Sequence, residues 1–246
     1  MEIIQITDLH ISRDINQEKH DCCPYERLKH SLSEIKRNHG NDASLVITGD
    51  LSSDYSRESY ENIKTLLKQY QFQISLLPGN HDDLNNMKCI CDDQISLNQI
   101  NIKNSNFIAH NIDTSIQDNV QGCIKDNDLR EIKSEVERIR ENVIFFTHHP
   151  LVKINSLWID KNVTENNNAL IQCMLKRSDL LFFIFSGHVH QEFHHKINNV
   201  EFFTSPSSCY QFKSETDDFA IDKDAGYGYR VISLHGNSLV TKVVRL

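Results

Sequence analysis

Proline and glycine are scarce, at 4 and 8 among 246 residues. The sequence holds no Pro/Gly-rich linker, no low-complexity tract and no internal repeat. With no compositional boundary inside it, the chain reads as one domain over residues 1–246, long enough to bury a substantial core. Basic residues are short as well: 26 Lys+Arg stand against 34 Asp+Glu, a formal net charge of −8. Proteins that grip phosphate backbones usually carry a basic excess, so nucleic acid and membrane surfaces are read out as partners. The longest apolar run, Leu180–Phe185, falls far short of the ~20 residues of a membrane span. The opening Glu2–Ile6 has no basic region followed by a long apolar stretch, which reads as no secretory leader. The 7 cysteines cannot all pair, because the count is odd. Adjacent Cys22-Cys23 and closely spaced Cys89 and Cys91 suit no structural disulfide. Reduced thiols and a cytoplasmic protein are the expectation. A soft-metal site at Cys89 and Cys91 lacks a second Cys/His pair at zinc-finger spacing.

What the chain does have is 13 His and 23 Asn. It also alternates short apolar runs with helical patterns. Strands are expected at Glu2–Ile6, Ser44–Thr48, Gln73–Leu77, Asn106–Asn111, Val143–Thr147 and Leu181–Phe185. Helices are expected at Pro24–His39, Ser56–Tyr70, Asp126–Asn142 and Asn167–Arg177, each with one apolar stripe. Ser56 suits an N-cap. After Gly187 two hairpins follow, Phe193–Ile197 with Val200–Thr204 and Tyr229–Leu234 with Ser238–Leu246. The fold class is α/β with a mixed sheet.

Most of those strands run into a polar motif: Thr7-Asp8-Leu9-His10, Thr48-Gly49-Asp50, Pro78-Gly79-Asn80-His81-Asp82, Thr147-His148-His149-Pro150, and Ser186-Gly187-His188-Val189-His190. In open α/β sheets, sites gather beyond the carboxyl ends of parallel strands, so these motifs are expected on one rim. In extended chain, Asp8 with His10 and His188 with His190 would share a side, leaving Leu9 and Val189 turned away. Carboxylates, imidazoles and a carboxamide without thiolate suit Mn, Fe, Zn, Ni or Co. The donors exceed the need of one tetrahedral site; two metals ~3.5–4 Å apart sharing a carboxylate would use them all.

This ordered set resembles the calcineurin-like metallophosphoesterases, and the resemblance runs nearly end to end. Gly49-Asp50-Leu51-Ser52 with Ser59-Tyr60, Ile112-Asp113-Thr114-Ser115, Trp158-Ile159-Asp160, Gly187–Glu192 and Thr204–Ser208 look like the class III cyclic nucleotide phosphodiesterases, in their bacterial cAMP-cleaving branch. The resemblance implies a four-layer αββα sandwich with two mixed β-sheets. It implies two divalent metals, iron or manganese favoured. Asp8, His10 and His190 would hold the first; Asn80, His148 and His188 the second; Asp50 would bridge. His148 is preferred over His149, because related His-x-Pro motifs ligate through the first His. Leu151 replaces the second proline the family often has there. His81 would be the catalytic His, and Asn80, His81 and His149 would meet substrate. Asp82 is either an orienting group for His81 or a solvated loop acid.

The implied reaction is hydrolysis of 3′,5′-cyclic AMP to 5′-AMP by in-line attack of a hydroxide bridging the metals. The same chemistry would serve other small phosphodiesters: 2′,3′-cyclic nucleotides, glycerophosphodiesters, nucleotide or lipid pyrophosphates. An inactive scaffold acting as an interaction module would have lost ligands, and none is missing. A nuclease is opposed by the acidic charge. The sequence carries no signal for oligomeric state. Of the other histidines, His20, His30, His39, His194, His195 and His235 read as surface or capping residues and His110 as buried or paired. Tyr210 and Phe212 suit either a purine stack or the core.

Overall fold

The computed structural model describes residues 1–41, 43–103, 105–117 and 119–246. The first half contains β1 (Glu2–Ile6), α1 (Pro24–His39), β2 (Ser44–Thr48), α2 (Arg57–Leu67), β3 (Gln73–Leu77), α3 (Leu84–Ile90) and β4 (Ile95–Ser96). Next come β5 (Phe107–Ile112), α4 (Asp126–Arg138), β6 (Asn142–Thr147), α5 (Asn167–Leu175) and β7 (Phe182–Ser186). The last part is all strand: β8 (Phe193–Ile197), β9 (Val200–Thr204), β10 (Gln211–Phe212), β11 (Ile221–Asp222), β12 (Gly228–His235) and β13 (Ser238–Arg245).

Two large mixed sheets result, of order β13-β12-β1-β2-β3-β4 and β5-β6-β7-β9-β8. Strands β1 to β4 run parallel, as do β5, β6, β7 and β9. Strands β12, β13 and β8 are antiparallel additions made by the two expected hairpins. Parallel strands need both faces covered, and four layers provide this. Ile3, Val46 and Ile232 of one sheet meet Ile144, Phe146, Phe185 and Phe203 of the other in a shared inner core. Leu28, Leu32 and Ile35 of α1, and Tyr60, Ile63 and Leu67 of α2, cover the outer face of the six-stranded sheet. Val136 of α4 and Leu170, Ile171 and Met174 of α5 cover the other. This is the αββα sandwich expected from the resemblance. The motif-bearing strands are therefore split between two sheets rather than ranged along one.

Helix ends follow local chemistry. Pro24 opens α1, where its missing N–H costs nothing. Ser56 caps α2, its Oγ accepting from Ser59 N at 3.2 Å. α4 stops short of the expected Asn142, because Asn142 joins the sheet and donates its N–H to Asn106 O at 3.0 Å. α3 was not expected: it buries only Met87 and Ile90, too few to show a period. No helix among the described residues is long and apolar enough to cross a membrane.

Phe185 is fully buried, with its ring centroid 5.8 Å from that of Phe146 and 5.1 Å from that of Phe203. Phe185→Ala should cost ~3–5 kcal/mol, read as a lower urea midpoint at nearly constant slope. A loss under about 1 kcal/mol would show that the inter-sheet core does not depend on this ring.

Candidate metal centre

The polar motifs do converge, at the carboxyl ends of β1, β2, β3, β6 and β7. Backbone bonds stitch the ends together: Asp8 N donates to Gly49 O, His10 N to Asp50 O and Gly187 N to His148 O, each at 3.0 Å. Two of the bonds that cross between the sheets involve expected ligands directly. His148 Nδ1 lies 2.8 Å from Thr48 O, and His188 N donates to the Asp8 carboxylate at 3.0 Å. Gly187 permits the second approach: a Cβ there would overlap Thr7 Oγ1 and lie 2.9 Å from Asp8 Oδ2.

Asp8 and His10 do aim together, but not through extended chain, whereas His188 and His190 face different donor groups. Asp8, His10, Asp50, His188 and His190 all have left-handed backbone, with φ of 55, 50, 53, 67 and 47°. Leu9 and Val189 between them turn into the interior and are buried. Each left-handed non-glycine residue costs of order 1–3 kcal/mol, and such strain gathers where function needs a fixed geometry.

The donor atoms form overlapping groups. Ligand atoms of Asp8, His10 and His190 lie within 4.8 Å of one another, as do those of Asp8, Asp50 and His148. His10 Nε2 and His190 Nε2 are 3.2 Å apart, and His190 Nε2 is 3.3 Å from Asp8 Oδ1. His148 Nε2 stands 3.1 Å from Asn80 Oδ1 and 3.3 Å from Asp50 Oδ1. The other Asp50 oxygen, Oδ2, is 3.8 Å from His10 Nε2. Asp50 thus faces both groups, one oxygen to each.

Proton bookkeeping tests whether cations fit. A carbonyl oxygen only accepts, so His148 Nδ1 carries its hydrogen toward Thr48 O, and His190 Nδ1 donates to Tyr210 O at 2.7 Å. In the neutral, metal-binding form of these rings each Nε2 then presents a lone pair toward carboxylates and neighbouring donors. His188 Nε2, also buried, has no hydrogen-bond partner among the described residues. Burial pushes His10 and His188 well below the ordinary imidazole value, which leaves them neutral, the metal-binding form. Burial also works to lower His148, but the Asp50 and Asp8 carboxylates overcome it and raise that group. Positive charge is wanted between these residues, and the donor set suits divalent cations.

Comparison with known proteins places the chain in a family. The family model described as calcineurin-like phosphoesterase matches residues 1–192. This chain belongs to the calcineurin-like phosphoesterase family. It is 31% identical over 254 residues to the 3′,5′-cyclic-nucleotide phosphodiesterase alr5338 of a Nostoc species, covering 100% of this chain and 92% of that protein. It is 27% identical to the 3′,5′-cyclic adenosine monophosphate phosphodiesterase CpdA of Vibrio vulnificus, over 100% of this chain and 89% of that one. A dimetal phosphatase from Danio rerio shares the fold, with TM-score 0.72 at 13% identity, covering 99% and 95% of the two chains.

The remaining expected residues of this phosphoesterase separate by surroundings. His81 is half-buried at the site. Its N–H donates to Asp50 Oδ1 at 2.8 Å, its ring stands edge-on to His10 at 5.5 Å, and its Nδ1 is 3.4 Å from the Tyr55 hydroxyl. Asp82 is neither a solvated acid nor bonded to the His81 ring among the described contacts. Its carboxylate accepts from Leu51 N at 3.0 Å, Gly79 N at 2.9 Å and Tyr60 Oη at 2.9 Å, clamping the loop after β2 to the loop after β3. Burial and the nearby Asp50 charge push it up to about 7. His149 is fully buried, with Nδ1 2.9 Å from Thr114 Oγ1 and its ring 4.6 Å from that of His188. Gly122 closes over it, so it faces protein rather than open space. Open space lies on the Asn80 side, in a cavity of about 620 Å³ that runs past Tyr55 to Asp113, Ile116 and Lys125.

Tyr210 is core: it is 6% exposed, and its ring stacks on His10 at 5.4 Å. Its part in orienting His190 was invisible in the sequence, since it acts through a backbone carbonyl. Tyr55 was also missed. Its φ of 58°, unusual for a bulky side chain, is its structural signature. Among the other histidines, exposed His194 pairs with Glu201 and largely buried His39 with Glu2, both at 2.9 Å, and His110 is mostly buried and lies 3.5 Å from Glu135, as expected for a buried or paired residue.

Gly187→Ala should therefore weaken metal binding by about 10–100-fold through displaced Asp8 and Thr7, measured by manganese titration calorimetry. Unchanged affinity in a folded variant would mean that this close approach does not shape the site.

Proposed function

We propose that this phosphoesterase hydrolyses 3′,5′-cyclic nucleotides, cAMP foremost, to the 5′-monophosphate. The observation that carries the reading is Asp50, whose two oxygens face two separate sets of imidazole nitrogens. In this reading Asp8, His10 and His190 hold one divalent cation. Asn80, His148 and His188 hold the other, and Asp50 contacts both. Four imidazoles, carboxylates and a carboxamide without thiolate suit Mn, Fe, Zn, Ni or Co, and the family resemblance favours iron or manganese among them. When bound, such a pair supplies Lewis acidity: it offsets phosphate charge and makes water acidic enough to attack at neutral pH. The preference for cAMP is supported by the named relatives and by the motifs shared with the cyclic nucleotide phosphodiesterases.

The chain's own residues supply the rest. Asp82 and Tyr60 keep the two acidic loops in register. His81, held by its N–H to Asp50, donates a proton to the departing ribose 3′ oxygen as the phosphorus–oxygen bond breaks. The alcohol and the 5′-phosphate stay on one molecule. The cavity beyond Asn80 is within the size range of small-ligand pockets, with room for a nucleoside.

A substrate panel tests this on manganese-reconstituted protein: 3′,5′-cAMP, 3′,5′-cGMP, 2′,3′-cAMP, a glycerophosphodiester and an aryl phosphodiester, compared by kcat/KM. The expected order puts 3′,5′-cAMP first. Turnover of the aryl ester with none of 3′,5′-cAMP would refute the substrate assignment. His81→Ala should slow cAMP hydrolysis about 10²–10⁴-fold and the aryl ester far less, since an aryl oxide leaves without a proton. Equal losses on both would remove His81 from the proton-donor role.

A further inference from the structure

Outside the metal centre, one pair of thiols among the described residues is close enough to join. Cys22 Sγ and Cys209 Sγ are 3.5 Å apart, joining the loop before α1 to the loop after β9. Both are free thiols and both are buried, Cys209 completely and Cys22 at 6% exposure. Cys23 is placed differently, with its Sγ 3.1 Å from Ile15 O. Cys22 sits in a strained segment: His20 and Asp21 before it have φ of 51 and 63°.

Cys209 is wired to the metal centre. Its carbonyl accepts from Arg27 Nη1, and its N–H donates to Ser207 Oγ at 2.8 Å. Ser207 Oγ in turn donates to Asp8 O at 2.8 Å. The next residue, Tyr210, accepts the His190 Nδ1 hydrogen.

We propose that Cys22 and Cys209 are a peroxide-reactive dithiol that closes to a disulfide and, in closing, displaces Tyr210 and loosens His190. In the first step the Cys22 thiolate attacks a peroxide oxygen. The sulfur–oxygen bond forms, the oxygen–oxygen bond breaks, and the released hydroxide takes a proton to become water. In the second step the Cys209 sulfur attacks the Cys22 sulfenic acid. The sulfur–sulfur bond forms, and the departing hydroxide takes the Cys209 proton as a second water. The two thiols lose two electrons to one hydrogen peroxide.

The order of attack follows from surroundings. The hydrogen bond from Cys209 lowers Cys22 to about 7, whereas burial raises Cys209 well above the ordinary thiol value. Closing would draw the sulfurs from 3.5 Å to about 2.0 Å, a movement that the chain next to Tyr210 must absorb.

The experiment uses the manganese-loaded full chain treated with hydrogen peroxide, with peptide mapping, free-thiol counting and manganese calorimetry. Two of the 7 thiols should disappear into a Cys22–Cys209 link and return with dithiothreitol. Manganese affinity should fall about tenfold and recover with reduction. Cys22→Ser and Cys209→Ser should each retain affinity after peroxide. No link, a link through Cys23, or equal loss in the Cys22→Ser variant would overturn the proposal. A link that leaves affinity unchanged would overturn the connection to His190. None of these readouts depends on which phosphodiester is the substrate.

Discussion

The hydrogen bond from His148 to the Thr48 carbonyl holds the rest of the site in place. It crosses from one sheet to the other at the point where the inner core ends. Because a carbonyl can only accept, the bond decides which imidazole nitrogen bears hydrogen. The remaining lone pair is aimed at Asn80 and Asp50. The Tyr210 carbonyl does the same for His190. With both tautomers set, carboxylates and lone pairs face one another across about a water diameter, an arrangement that is costly without a cation. The sandwich supports that cost through large apolar layers on either side, which hold five left-handed residues in place.

The site's ingredients were legible in the sequence because metal chemistry demands particular side chains in particular order after strands. The parallel strands and most helices were legible through their apolar periods. What stayed hidden acts through backbone or through company. Tyr210 orients His190 by a carbonyl that any residue could supply. Asp82 stands beside His81 in sequence, yet its four-way clamp involves Tyr60 and the loops after β2 and β3, which only tertiary structure brings together. The extended-chain argument for Asp8 and His10 reached the correct convergence by the wrong backbone. Left-handed residues give no composition signal when they are Asp and His rather than glycine. The division of the strands between two sheets was likewise absent from the local pattern; it came only with the family resemblance.

Net charge takes on a different meaning at this site. A chain of −8 has little general attraction for a phosphodiester. Beside the cavity, Lys125 is paired with Asp113 at 3.0 Å, so its charge is largely offset. Two bound divalent cations would concentrate positive charge at one point and leave the surface acidic.

The most direct test is anomalous diffraction from crystals of the manganese-loaded chain. The account predicts two peaks, one among Asp8, His10 and His190 and the other among Asn80, His148 and His188, with an Asp50 oxygen at each. A single peak, or a pair that Asp50 does not span, would contradict it.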